Sequence, residues 1–74
     1  MQEVSVIINS IDKVKSFVDV ASSIEDELEL KSGRYVIDAK SIIGIFSLNL
    51  CHPLTLVIHN DDKSIISKFK DYLA

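Results

Sequence analysis

A histidine can carry a phosphoryl group, a cysteine can attack or bind a metal, and a serine at a helix start can accept a phosphate. This sequence has two histidines, His52 and His59, and one cysteine, Cys51. His59 precedes Asn60-Asp61-Asp62 at an expected strand-to-helix junction, a place that suits an anion in principle. The two aspartates beside it would repel a phosphate dianion. His52 lies in a Cys51-His52-Pro53 loop, and both histidines read as surface polar groups. No third ligand stands at a telling spacing from them, so no metal is expected. Cys51 has no partner for an internal disulfide and reads as a small buried or half-buried hydrophobe, which fits a reducing cytoplasm. Asn9 and Ser10 stand where one apolar helical pattern begins and Ser41 where another does, so all three are candidate helix caps. Asp12 falls in the first turn after Ser10, where the helix dipole favours a negative charge. No general base, nucleophile pair or cofactor loop is visible, so neither catalysis nor a cofactor is expected.

The elements that position these residues follow from periodicity. Val4, Val6 and Ile8 alternate with Glu3, Ser5 and Ile7 as a half-buried strand does. Val14, Phe17, Val18, Ala21 and Ile24 then recur at helical spacing to about residue 24. Leu28 and Leu30 alternate with charged residues in a second strand, and Ser32-Gly33 suits a tight hairpin into a third, Arg34 to Asp38. Ser41 leads a short second helix, Ile42 to about Leu48, with Gly44 inside it. Leu54, Leu56 and Ile58 alternate with Thr55, Val57 and His59 in a fourth strand. Asn60 is the expected cap of a last helix whose apolar positions are Ile65, Ile66, Phe69, Tyr72 and Leu73.

The order βαββαβα implies an α+β, open two-layer sandwich: a four-stranded antiparallel sheet with three helices on one face. A ferredoxin-like βαββαβ domain shares much of this pattern, but the second helix is short and a third closes the chain. The expected core is Val4, Val6, Val14, Phe17, Val18, Leu28, Leu30, Leu56, Ile58, Ile66 and Phe69. A weak echo relates Val4–Asn9 with Asp12-Lys13 to Leu54–His59 with Asp62-Lys63, as if two βα units shared one sheet.

Composition narrows the function classes. Seventy-four residues, 47% of them hydrophobic, make a single domain over 1–74 with a modest core. The net charge of −3 and the scattered lysines give no basic stripe, so nucleic acid is not an expected partner. The acidic run Glu25-Asp26-Glu27 reads as a solvated turn. No apolar run is long enough to span a bilayer, and no secretory signal precedes the first strand, so a cytoplasmic location with no membrane partner is expected.

The segment Ala39-Lys40-Ser41-Ile42-Ile43-Gly44-Ile45-Phe46-Ser47-Leu48 carries a more specific signal. It resembles the region around the regulatory serine of HPr, the histidine-containing phosphocarrier of the bacterial sugar phosphotransferase system. The family pattern is Lys-Ser, two apolar residues, Gly, two more apolar residues, then Ser-Leu, and every element is present. The resemblance extends over essentially the whole chain. It implies that Ser41 is a site for a regulatory kinase. It also implies that Ile43, Phe46 and Lys40 face a protein partner, since equivalent helix-two residues in HPr contact enzyme I and the catabolite-control repressor.

The departure lies at helix one. HPr carries a His-x-Arg-Pro motif there, and its histidine relays phosphate from enzyme I to sugar-specific acceptors. Ser10 and Asp12 occupy the histidine and arginine positions, and no His, Arg or Pro occurs between Glu3 and Lys31. The resemblance therefore implies a regulatory or adaptor protein related to the phosphotransferase system, without phosphohistidine relay. The alternatives are a carrier using another residue, and a small ligand-binding or oligomerising domain that reuses the scaffold.

Overall fold

The computed structural model describes the whole chain, Met1–Ala74. Its strands are β1 (Gln2–Val6), β2 (Leu28–Ser32), β3 (Tyr35–Asp38) and β4 (Leu54–Ile58). Its helices are α1 (Ile11–Ser22), α2 (Ile42–Phe46) and α3 (Lys63–Ser67), followed by a 3₁₀ turn over Lys70–Tyr72. The sheet is antiparallel throughout, in the order β1-β4-β2-β3. With β1 at an edge, the ferredoxin-like alternative, which holds its first strand inside the sheet, does not apply. The two strands of the internal echo, β1 and β4, lie side by side, with Val4 opposite Leu56.

One face of the sheet holds the core. Val6, Leu28, Leu30, Leu54, Leu56 and Ile58 join Val14, Phe17 and Ala21 of α1, Ile45 of α2 and Ile65 of α3 in a single cluster. A single cluster shared by all three helices puts them on the same face. Phe17 is its hub: its ring lies 5.1 Å from Phe69 and meets Tyr72 edge-on at 5.3 Å. Of the expected core, Val4, Val18 and Ile66 are only half-buried, packed against its margin. The open face carries Glu3, Ser5, Thr55, Glu29 and Lys31, as alternation requires. Val57 is the exception, 1% exposed although it points away from the helices. It sits between Glu3 and Glu29 in the sheet, and Lys31 reaches across β4 to Glu3 at 3.8 Å.

Four local expectations are corrected. The hairpin turn is Gly33-Arg34, one residue later than expected, because Ser32 pairs with Tyr35 and Gly33 takes the positive φ of 59°. The last helix is capped by Asp62, whose carboxylate accepts from the Ser64 amide at 2.9 Å, while Asn60 turns its side chain onto the Asp62 amide. That helix also stops at Ser67 instead of running on through Leu73. The Ile7 amide takes the Tyr72 carbonyl at 2.7 Å and the Ala74 amide reaches Ser5 at 2.9 Å, so the end of the chain is drawn into an extended course along β1. Finally, Cys51 is exposed, not buried or half-buried. The Asn49 side chain accepts from the Cys51 amide and turns the loop outward, leaving half-buried Leu50 against the core.

Candidate functional site

The candidate residues fall on two elements that pack together, the start of α1 and the whole of α2. Ser10 caps α1 from extended backbone, its hydroxyl accepting from the Lys13 amide at 3.1 Å and its carbonyl from the Val14 amide at 3.0 Å. The hydroxyl is thereby committed to an orphan helix donor, the ordinary task of a cap. Asp12 stands exposed in the first turn and brings a carboxylate to the positive end of the helix. Between them Ile11 is 63% exposed, a feature the sequence reading did not single out. Spacing gave no signal of this, since Ile11 stands three residues before Val14 and seven before half-buried Val18, at the margin of the apolar stripe of α1.

Ser41 caps α2 in the same manner. Its half-buried hydroxyl accepts from the Gly44 amide at 3.1 Å, and its carbonyl accepts from the Ile45 amide at 3.0 Å. The spacing of the motif follows from this geometry. A side chain at position 44 would place its Cβ 3.1 Å from the Ser41 Oγ and 3.3 Å from the Ile37 Cδ1, so the capping serine and the glycine fit as a pair.

The remaining residues of α2 divide sharply. Ile45 turns inward and is fully buried, and Leu48 follows it into the core. Ile43 is 81% exposed and Phe46 45% exposed, with Ile42 at the margin. Nothing in the fold requires Ile43 or Phe46 to be apolar. Lys40 is differently placed from either: its ammonium donates to the Ile24 carbonyl at 2.6 Å and ties the end of the α1 connection to the start of α2.

The other chemistry-bearing residues are not brought to this site. His59 is on the open-face side of the sheet, with its Nε2 2.6 Å from the Glu29 carboxylate, and His52 is exposed in the loop before β4. No cluster of three metal-ligating side chains occurs, the fold has no pocket, and no helix is long and apolar enough to cross a membrane. Two aspartates near α3 are perturbed. The Ser64 amide holds the Asp62 carboxyl below its usual range, and the N-terminal ammonium does the same to Asp61.

Comparison with known proteins identifies the architecture. No protein-family model and no curated protein matches the chain. Among solved structures, the HPr-C-His protein of Thermoanaerobacter tengcongensis superposes with a TM-score of 0.81 at 25% identity, covering 96% of this chain and 89% of that one. HPr of Bacillus anthracis gives 0.74 at 20% identity, covering 99% and 94%. The histidine-containing phosphocarrier of a Mycoplasma gives 0.76 at 17% identity, covering 95% and 89%. The fold is that of HPr.

Proposed function

We propose that this chain is an HPr-like regulatory or adaptor protein that docks on a protein partner through α2 and does not relay phosphate through a histidine. The observation that carries the reading is the contrast between the two elements. The head of α1 holds Ser10 and Asp12, with no histidine or arginine between Glu3 and Lys31, at the place where the resemblance sets the family's relay motif, whereas α2 keeps an apolar pair, Ile43 and Phe46, in solvent.

The chemistry supports the first half. A phosphohistidine is transferable because imidazole is a good leaving group near neutral pH. A phosphate ester on Ser10 would be too stable to pass on. Asp12 would moreover repel the incoming dianion that an arginine would hold. The second half rests on burial. A half-exposed aromatic beside an almost fully exposed isoleucine is the composition of a docking anchor.

Ser41 supplies the regulation in this reading. Phosphorylation would leave Oγ at the Gly44 amide and add about two negative charges at the rim of the Ile43–Phe46 surface. Substitution separates the two roles. Ser41→Asp keeps an acceptor at the cap and should change stability by no more than about 0.5 kcal/mol. It should alter partner affinity several-fold.

The test is a titration of enzyme I and the catabolite-control repressor with wild type, Ser41→Asp and Ile43→Asp/Phe46→Asp. The double variant should stay folded and weaken binding by about tenfold or more, as loss of a buried anchor does. Binding unchanged by both substitutions would remove α2 as the docking surface.

A further inference from the structure

The two edges of the sheet are finished differently. At β1 the end of the chain closes the edge: Leu73 bridges Val6, and Tyr72 and Ala74 take up backbone groups of Ile7 and Ser5. At β3 nothing pairs on the outer side, because β2 is its only neighbour in the sheet. The two-residue turn with Ser32 opposite Tyr35 makes that pair, and Ile37 with Leu30, exchange backbone hydrogen bonds across the hairpin. The Val36 amide and carbonyl therefore point outward. Tyr35 and Val36 along this edge are 71% and 51% exposed.

Exposed edges are ordinarily blunted by proline, a bulge, or charges that repel a second strand. The only charges here are Asp38, the last residue of β3, and Arg34, in the turn just before it. In an antiparallel pairing of β3 with itself about a two-fold axis through Val36, positions whose numbers mirror each other about Val36 come together. Arg34 then faces Asp38 of the second copy, and the reverse pair forms on the other side of the axis. Tyr35 faces Ile37, and Val36 faces Val36, whose outward amides and carbonyls are in register to exchange hydrogen bonds. Within one copy the Asp38 carboxylate accepts from the Lys40 amide at 2.9 Å and pairs with no cation, so it is open to an incoming arginine.

We infer that β3 is a self-association edge, and that two copies of this chain pair through it into one continuous sheet with all helices on the same face. Opposed residues of antiparallel strands share a face, so both α2 helices would flank the seam. The strand is short and buries less than the roughly 1,000 Å² of a stable interface, so the dimer is a weak, concentration-dependent one. This inference does not rest on the docking role of α2.

Sedimentation velocity of the whole chain, from micromolar to millimolar, tests it. The weight-average mass should rise from monomer toward dimer. Val36→Pro removes the outward amide at an edge position where proline is tolerated, so it should keep the native circular dichroism and remain monomeric. Arg34→Glu alone and Asp38→Arg alone each set like charges face to face and should weaken the dimer by about tenfold or more. Mixing the two variants aligns opposite charges at both pairs and should restore association beyond either alone. A monomer at millimolar concentration would overturn the inference. So would a dimer that survives Val36→Pro, or a mixture that associates no better than its components.

Discussion

The pairing of Ser41 with Gly44 makes a quantitative prediction about non-additivity. Ser41→Ala removes the acceptor that satisfies the Gly44 amide at 3.1 Å, a cap loss of about 1 kcal/mol. For a domain of this size that lowers the melting temperature by roughly 4–8 °C. Gly44→Ala has two opposed effects. Alanine favours a helix interior over glycine by about 0.8–1 kcal/mol. Its Cβ, however, would sit 3.1 Å from the Ser41 Oγ and 3.3 Å from the Ile37 Cδ1. The isoleucine tip belongs to a half-buried chain and can move. The hydroxyl is held by its bond to the very amide it caps, so relieving that contact weakens the cap, and the net change should be near zero or a loss. In the Ser41→Ala background the Oγ is gone and the nearest serine atom left is Cβ, at an ordinary 3.4 Å. There Gly44→Ala should recover most of its propensity gain, making the double variant more stable than Ser41→Ala alone. A double-mutant cycle by urea and thermal unfolding should thus give a favourable coupling of about 0.5–1 kcal/mol. Strict additivity would show that the short Cβ–Oγ approach is absent in solution and that serine and glycine are independent.

Two further outcomes follow from the packing and the charges. Phe17→Ala should cost about 3–5 kcal/mol in urea unfolding, because it empties the place between Phe69 and Tyr72, and a loss under 1 kcal/mol would refute Phe17 as the hub. Asp62 titrates below its usual range in the folded state, so its contribution to stability is complete above the unfolded carboxyl value and lost as pH falls through the lower folded one. Asp62→Asn should therefore shallow the acid-side decline in melting temperature, and an unchanged pH profile would show that the Ser64 amide does not hold the carboxylate.

The fold was legible because local pattern and tertiary packing agree over most of the chain. The α1 stripe of Val14, Phe17 and Ala21, the alternation in β2 and β4, and the serine before each of the first two helices each point to the observed element. The end of the chain was not legible, for a physical reason. Ile65 through Leu73 keep a helical spacing, but the course beyond Ser67 is set by an amide of Ile7 and the ring of Phe17, far away in sequence. Val57 illustrates the same limit, since alternation assigns it to the solvent face, yet it is buried between Glu3 and Glu29, which pair with Lys31 and His59. At the candidate site the position of each residue could be read from spacing, whereas the engagement of Lys40 with the Ile24 carbonyl could not. The Ser41–Gly44 fit also changes the weight of the motif: its serine and glycine serve the fold, and the exposed Ile43 and Phe46 are what folding leaves unexplained.

The proposal that this chain relays no phosphate through a histidine is tested most directly by incubating the protein with enzyme I, phosphoenolpyruvate and magnesium and following intact mass and acid-labile phosphate. Wild type should take up no acid-labile phosphate. Ser10→His should take up little, because Asp12 still repels the dianion, and Ser10→His/Asp12→Arg should take up measurably more. Acid-labile phosphate on His52 or His59 of the wild-type chain would contradict the account outright. Equal rates for the single and double variants would contradict its electrostatic half.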